Sequence, residues 1–117
     1  MHSSPMLTKD LVAASAKPLI LSILSTEESY GYAIIQRIRE LSDDQIKWTD
    51  GMLYPVLHRM EKEGWIKSKW KTSDTGRKRK YYKIQSSGRQ ILNREKNQWH
   101  TVTQTLSKLW KTPLLSH

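Results

Sequence analysis

The sequence predicts a mainly helical domain with one small β-hairpin. Apolar residues recur at helical spacing in four segments, and one strictly alternating stretch is followed by turn residues and a second β-rich run. The order along the chain is helix, helix, helix, hairpin, helix. At 117 residues the chain suits one compact unit, which buries roughly two-thirds of its unfolded surface.

The first helix is expected from Thr8 to Ser25, with Leu11, Val12, Leu19, Ile20, Ile23 and Leu24 at near-helical spacing and Thr8 or Ser4 as N-cap. Pro18 lacks a backbone donor and crowds the preceding turn, so a bend or a split is expected there. Ser29 is placed to cap a second helix, "YGYAIIQRIREL", that buries Ala33, Ile34, Ile38 and Leu41. A short extended piece, Ile46 to Trp48, leads to Thr49 or Asp50 as cap of a third helix. There Leu53, Val56, Leu57 and Met60 make the core face, and Gly64 supplies the stop. Pro55 cannot donate to the carbonyl of Gly51, which predicts a bent or loosened first turn.

"WIKSKWK" alternates, with Ile66, Ser68 and Trp70 on an inner face and Lys67, Lys69 and Lys71 on the other. "TSDTG" is turn chemistry, and "RKRKYYKI" resumes with Tyr82 and Ile84 on one face. Ser86 or Ser87 then caps a long helix from Gly88 toward Lys111, and "TPLLSH" is expected to fray.

Composition narrows the function. Lys and Arg number 20 against 11 Asp and Glu, a net charge of +9, which favours a polyanionic partner. No apolar run is long enough to span a membrane, no signal peptide is apparent, and cysteine is absent, so a cytoplasmic protein without disulfides is expected. His2, His58, His100 and His117 are isolated, and the adjacent acids Glu27–Glu28 and Asp43–Asp44 lie between helices. No nucleophile with a base, metal-ligand spacing or phosphate loop occurs; neither an enzyme nor a cofactor is expected.

The third helix docks by its apolar face and presents Thr49, Gly51, Met52, Tyr54, Pro55, His58, Arg59 and Lys62 outward. A major groove admits such a helix: Arg59 can fork onto guanine or a phosphate, Tyr54 can meet a phosphate or a thymine methyl, and Gly51 lets the backbone approach closely. The same residues also suit a plain solvated face. From Trp65 to Lys83 there are eight basic residues and one acid. Lysines can simply guard an edge strand, but that does not account for four consecutive cations, Arg77, Lys78, Arg79 and Lys80, beside the turn. A basic hairpin after a groove-sized helix is the order of a winged helix-turn-helix, and double-stranded DNA is the leading partner. The alternatives are a protein-interaction module for an acidic partner and, behind it, RNA binding.

Trp48, Trp65 and Trp70 read as core or junction packing. On the last helix Leu92, Trp99, Val102, Leu106 and Leu109 form a stripe that, with Trp110 and with Leu11 from the first helix, is expected to pair with a second copy. Trp99 near the two-fold axis is either an interface anchor or a platform for a flat aromatic or cationic effector. The domain is expected over residues 8–85 and the dimerisation helix over residues 86–111.

"SYGYAIIQRI", "GMLYPVLHRMEKEGWIKSKW" and "GRKRKYYKIQSSGRQIL" together resemble the PadR family of bacterial transcriptional regulators, specifically its short members with one C-terminal dimerisation helix. The resemblance implies a winged-helix dimer that represses genes of phenolic acid detoxification or multidrug efflux and leaves its operator when an effector binds. It implies a recognition helix from Thr49 to Arg59, a wing at Arg77 to Lys80, and Trp99 as the aromatic lining the effector pocket. The chain departs from the family's pattern at Met52, where a small hydroxyl residue is usual, and at Ala33, where an acid commonly follows Tyr-Gly-Tyr.

Overall fold

The computed structural model describes residues 7–111; Ser4, His2, His117 and the "TPLLSH" end lie outside the described residues. Four helices and a small sheet follow in the order α1 (Lys9–Thr26), β1 (Ser29–Tyr30), α2 (Gly31–Leu41), α3 (Asp50–Lys62), β2 (Ile66–Thr72), β3 (Lys78–Ile84) and α4 (Ser86–Trp110). The sheet is antiparallel with β3 in the middle, in the order β1-β3-β2.

Thr8 caps α1, its hydroxyl accepting from the Leu11 amide at 3.2 Å. Pro18 sits inside α1 without splitting it. Leu24, Leu21 and Ile20 beyond the proline and Ala16 before it are all buried, so one continuous apolar face outweighs the lost hydrogen bond. Thr49 caps α3: its hydroxyl accepts from the Met52 amide at 3.3 Å, and its carbonyl accepts from both Met52 and Leu53. α3 stays helical through Pro55. It ends in a Schellman turn, with Trp65 N–H on the Met60 carbonyl and Gly64 N–H on Glu61, for which Gly64 takes a left-handed φ of 83°.

Several expectations are corrected. Ser29 does not cap α2; it pairs with Tyr82 as part of β1, and α2 starts behind Tyr30 with no side-chain cap. Leu41 is 61% exposed, because α2 runs past the core before it ends. Neither Ser86 nor Ser87 caps α4, which begins at Ser86 behind Gln85; the Ser87 hydroxyl instead donates to the Gly64 carbonyl at 2.8 Å. Leu92, expected at the interface between copies, is 3% exposed and belongs to this chain's own core. Trp70 is 65% exposed, since β2 extends beyond the core that buries Ile66 at its other end.

The core collects Ile20, Leu21 and Leu24 of α1, Ile34 and Ile38 of α2, Leu53, Leu57 and Met60 of α3, and Trp48, Ile66, Tyr82, Ile84 and Leu92. The start of α4 is clamped against the turn after α3. The Gln85 amide donates to the Trp65 carbonyl, and a Cβ at Gly88 would lie 2.2 Å from that same oxygen. α4 then leaves the core. The radius of gyration is 16.0 Å, against about 13 Å for a compact chain of this length.

Tyr82 is wholly buried, and its hydroxyl has no hydrogen-bond partner. Burial foremost, then nearby Tyr54 and Glu61, push its pKa up to about 12. Folding thus favours the neutral phenol: the contribution is complete below the ordinary value near 10 and is lost as pH rises through 12. Stability should fall by on the order of 2 kcal/mol across that window. Urea unfolding from pH 9 to 12 tests this, with Tyr82→Phe expected to lose that part of the alkaline slope and to be near neutral at pH 7. Equal slopes in both proteins would acquit Tyr82.

Candidate nucleic-acid interface

α3 stands on its buried Leu53, Leu57 and Met60, which leaves Gly51, Pro55, His58 and Lys62 along an open outer ridge. Three residues expected on that ridge stand at its flanks. Tyr54 is half-buried and turned toward α2: a Cβ at Gly31 would lie 2.3 Å from its hydroxyl oxygen, so glycine is required for the tyrosine to pack there. Arg59 and Met52 are exposed on the other flank, beside an apolar groove of about 1020 Å³ between α1 and α3 that Val12, Ala16 and Val56 also line.

The wing is held against α3 by Glu61, whose carboxylate accepts from the Ser68 hydroxyl at 2.5 Å and lies 4.0 Å from Lys80 Nζ. At the tip, Ser73 N–H bonds the Arg77 carbonyl at 2.8 Å, and Gly76 takes φ 83°, which an L side chain would strain. A cleft of about 660 Å³ opens between α3 and the wing. Tyr54 and His58 line it from α3, Arg77, Lys78, Arg79 and Lys80 from the wing, and Tyr30 to Tyr32 from the start of α2. The expected site residues therefore meet here, apart from Thr49, Gly51, Pro55, Arg59 and Met52, which lie along the helix outside the cleft.

Trp70 and Asp50 were missed and also line the cleft. Alternation put Trp70 on the face of Ile66, yet only the length of the hairpin shows that this face outruns the core. The open amide end of α2 adds partial positive charge and the four wing cations add more, opposed by Asp50 in the cleft and by Glu61 beside Lys80. Such a surface suits a phosphate backbone.

α4 carries a second surface. Trp99 is half-buried; its indole N–H donates to Glu95 at 3.3 Å, and Glu95 pairs with Lys17 of α1 at 3.7 Å. Val102, Leu109 and Trp110 are exposed, Leu109 by 71%, as is Leu11 on α1, while Leu106 is half-buried. Among the described residues no metal cluster occurs and no helix is long and apolar enough to cross a membrane.

Two helices with an open second helix, followed by a basic antiparallel wing on the same side, define a winged helix-turn-helix protein of the DNA-binding class. The chain belongs to the PadR-like family of transcriptional regulators, whose model matches residues 20–94. The PadR-like regulator of Bacillus cereus superposes with a TM-score of 0.79 at 32% identity, covering 90% of this chain and 100% of that one. A transcriptional regulator of Clostridium thermocellum gives 0.77 at 30% identity, over 86% and 97% of the two chains. An uncharacterized protein of Lysinibacillus sphaericus is 29% identical over 101 residues, 86% of this chain and 93% of its own length. The family is one of regulators and not of enzymes.

Gly31→Ala should displace the Tyr54 ring and cost about 1–3 kcal/mol, as overpacking does. Removing the crowding hydroxyl with Tyr54→Phe should recover part of that loss, a coupling that a double-mutant cycle of urea midpoints measures. Additive losses would mean that the two residues do not touch in solution.

Proposed function

We propose that this regulator is a repressor that binds a pseudo-palindromic site in double-stranded DNA as a homodimer. The observation that carries this reading is the shared cleft: an open helix ridge and the wing cations face one side. α3 enters the major groove, where His58 and Arg59 select bases and Thr49, Gly51, Met52 and Pro55 bring the first turn to the backbone. Arg77 to Lys80 hold phosphates beside it. Half-sites then lie about 34 Å apart, one helical turn.

The stripe of α4, from half-buried Trp99 and Leu106 to exposed Val102, Leu109 and Trp110, pairs with its copy, with Leu11 at its margin. The exposed side chains of Val102 and Leu109 and the extended shape of the chain support this. An aromatic or cationic effector stacks on Trp99 between the two copies and releases the DNA.

Affinity for an operator should fall by roughly 10³-fold or more between about 50 and about 200 mM salt, given about six or more neutralised phosphates. Arg77→Ala with Lys78→Ala should weaken every duplex and flatten the salt slope, while Arg59→Ala or His58→Ala should change which base pairs are tolerated. Gel shifts on a selected sequence and its point variants read both; identical effects on all sequences would refute this division of roles. Val102→Glu with Leu109→Glu should give a monomer in sedimentation velocity, with at least tenfold weaker binding to the palindrome. A dimer that persists in this variant would move the interface elsewhere.

A further inference from the structure

Strand alternation divides the wing's charge between two faces. Lys78 and Lys80, with Arg77 at the tip, belong to the cleft beside α3, and Arg79, opposite Lys71 on the other face, reaches the rim of the cleft over the Tyr30 ring. Lys67, Lys69, Lys71 and Lys83 point the other way and line a separate concavity of about 530 Å³, with Tyr81 and the end of α1 around them. Lys67 lies five residues before the end of β2, roughly 17 Å back along the strand from the tip. A duplex seated on α3 lies on the far side of the sheet from it.

Edge protection does not account for all of these lysines. β2 is an edge strand, and its lysines can guard it, but Lys83 stands on β3, the middle strand, directly opposite Lys67. Like charges facing each other across a ladder are destabilising unless an anion lies between them. The concavity already holds a carboxylate. Glu28 accepts a hydrogen bond from Lys71 Nζ, and Lys71 also stands over the Tyr81 ring. That bond, with the charges of Lys71, Lys69 and Lys83, lowers the Glu28 pKa despite some desolvation.

We propose that this outer face of the wing is a docking surface for an acidic protein segment, whose carboxylates meet Lys67, Lys69 and Lys83 beside the resident Glu28. The proposal rests on the reading that DNA occupies the α3 side. Protein is favoured over a second nucleic acid because Glu27, Glu28 and the last residues of α1 line the same concavity. Side-chain carboxylates on a flexible segment can avoid those acids, whereas the evenly charged phosphate backbone cannot. A regulator built this way holds DNA on one face and a protein partner on the other.

The test uses the full chain, a fluorescein-labelled peptide of about twenty alternating Glu and Ser residues, and a labelled duplex carrying a selected site, each read by anisotropy. Two variants remove the same net charge: Lys67→Gln/Lys69→Gln/Lys83→Gln on the outer face and Arg77→Gln/Lys78→Gln/Lys80→Gln on the inner. The outer variant should lose about tenfold or more in peptide affinity and little in DNA affinity, and the inner variant the reverse. The wild type should bind peptide while saturated with duplex. The charge-preserving Lys67→Arg/Lys69→Arg/Lys83→Arg variant should keep the peptide, and it separates charge from folding. No peptide binding, equal losses in both triple variants, or displacement of the peptide by duplex would overturn the proposal. So would an outer variant that loses DNA as the inner one does, which would make this face a phosphate contact. Failure of the DNA reading would appear separately, as a wild type that binds no duplex.

Discussion

The burial of Tyr82 and Ile84, two residues apart on the middle strand, dictates where every charge of the wing points. Successive side chains of a strand face opposite sides, so a slip of one residue would bring Tyr81 and Lys83 into the core. That slip would forfeit about 1.5–3 kcal/mol for each displaced apolar side chain and bury an ammonium group as well. The register is therefore held by the core end of β3, while Lys78, Arg79 and Lys80 lie at the other end of the same seven residues. The unsatisfied phenol of Tyr82 is tolerated because its ring fills the centre of the core.

α3 is placed with comparable firmness. Thr49 fixes where it begins, Gly64 fixes where it ends, and Glu61 ties its last turns to both Ser68 and Lys80 of the hairpin. The Tyr54 ring against Gly31 ties its first turns to α2. Ridge and wing are thus parts of one rigid face, and the donors it presents are oriented before any ligand arrives, which limits the ordering cost of binding.

Much of this was legible in the sequence, for local reasons. Thr8 and Thr49 are strong caps, Gly64 is a natural stop, and the period of Leu53, Leu57 and Met60 identifies a core face without reference to anything else. The hairpin and its basic tip follow from alternation and turn chemistry. What escaped depends on neighbours far along the chain. Ser29 and Tyr30 are a strand only because Tyr82 and Tyr81 lie beside them. Periodicity put Leu92 and Trp99 on one stripe, but only packing shows that the core claims the first and α4 carries the second beyond it. Tyr54 turned out to be braced where an outward reader was expected, because the vacancy that receives it is a glycine twenty-three residues earlier. The sharing of the wing's cations between two faces was written in the alternation itself, and became meaningful once β3 proved to be the middle strand.

The turn from Ser73 to Arg77 closes on its own hydrogen bonds and lies outside the core. Loop-closure entropy rises by only about 0.6 kcal/mol for each doubling of length, so residues can be added or removed at this tip with little effect on the rest. α3 has no such latitude, since an insertion there would rotate its buried face out of register. The architecture thus separates a fixed instrument from an adjustable one. Descendants of such a chain can lengthen or shorten the basic hairpin by small insertions at a single place, while α3 stays as it was.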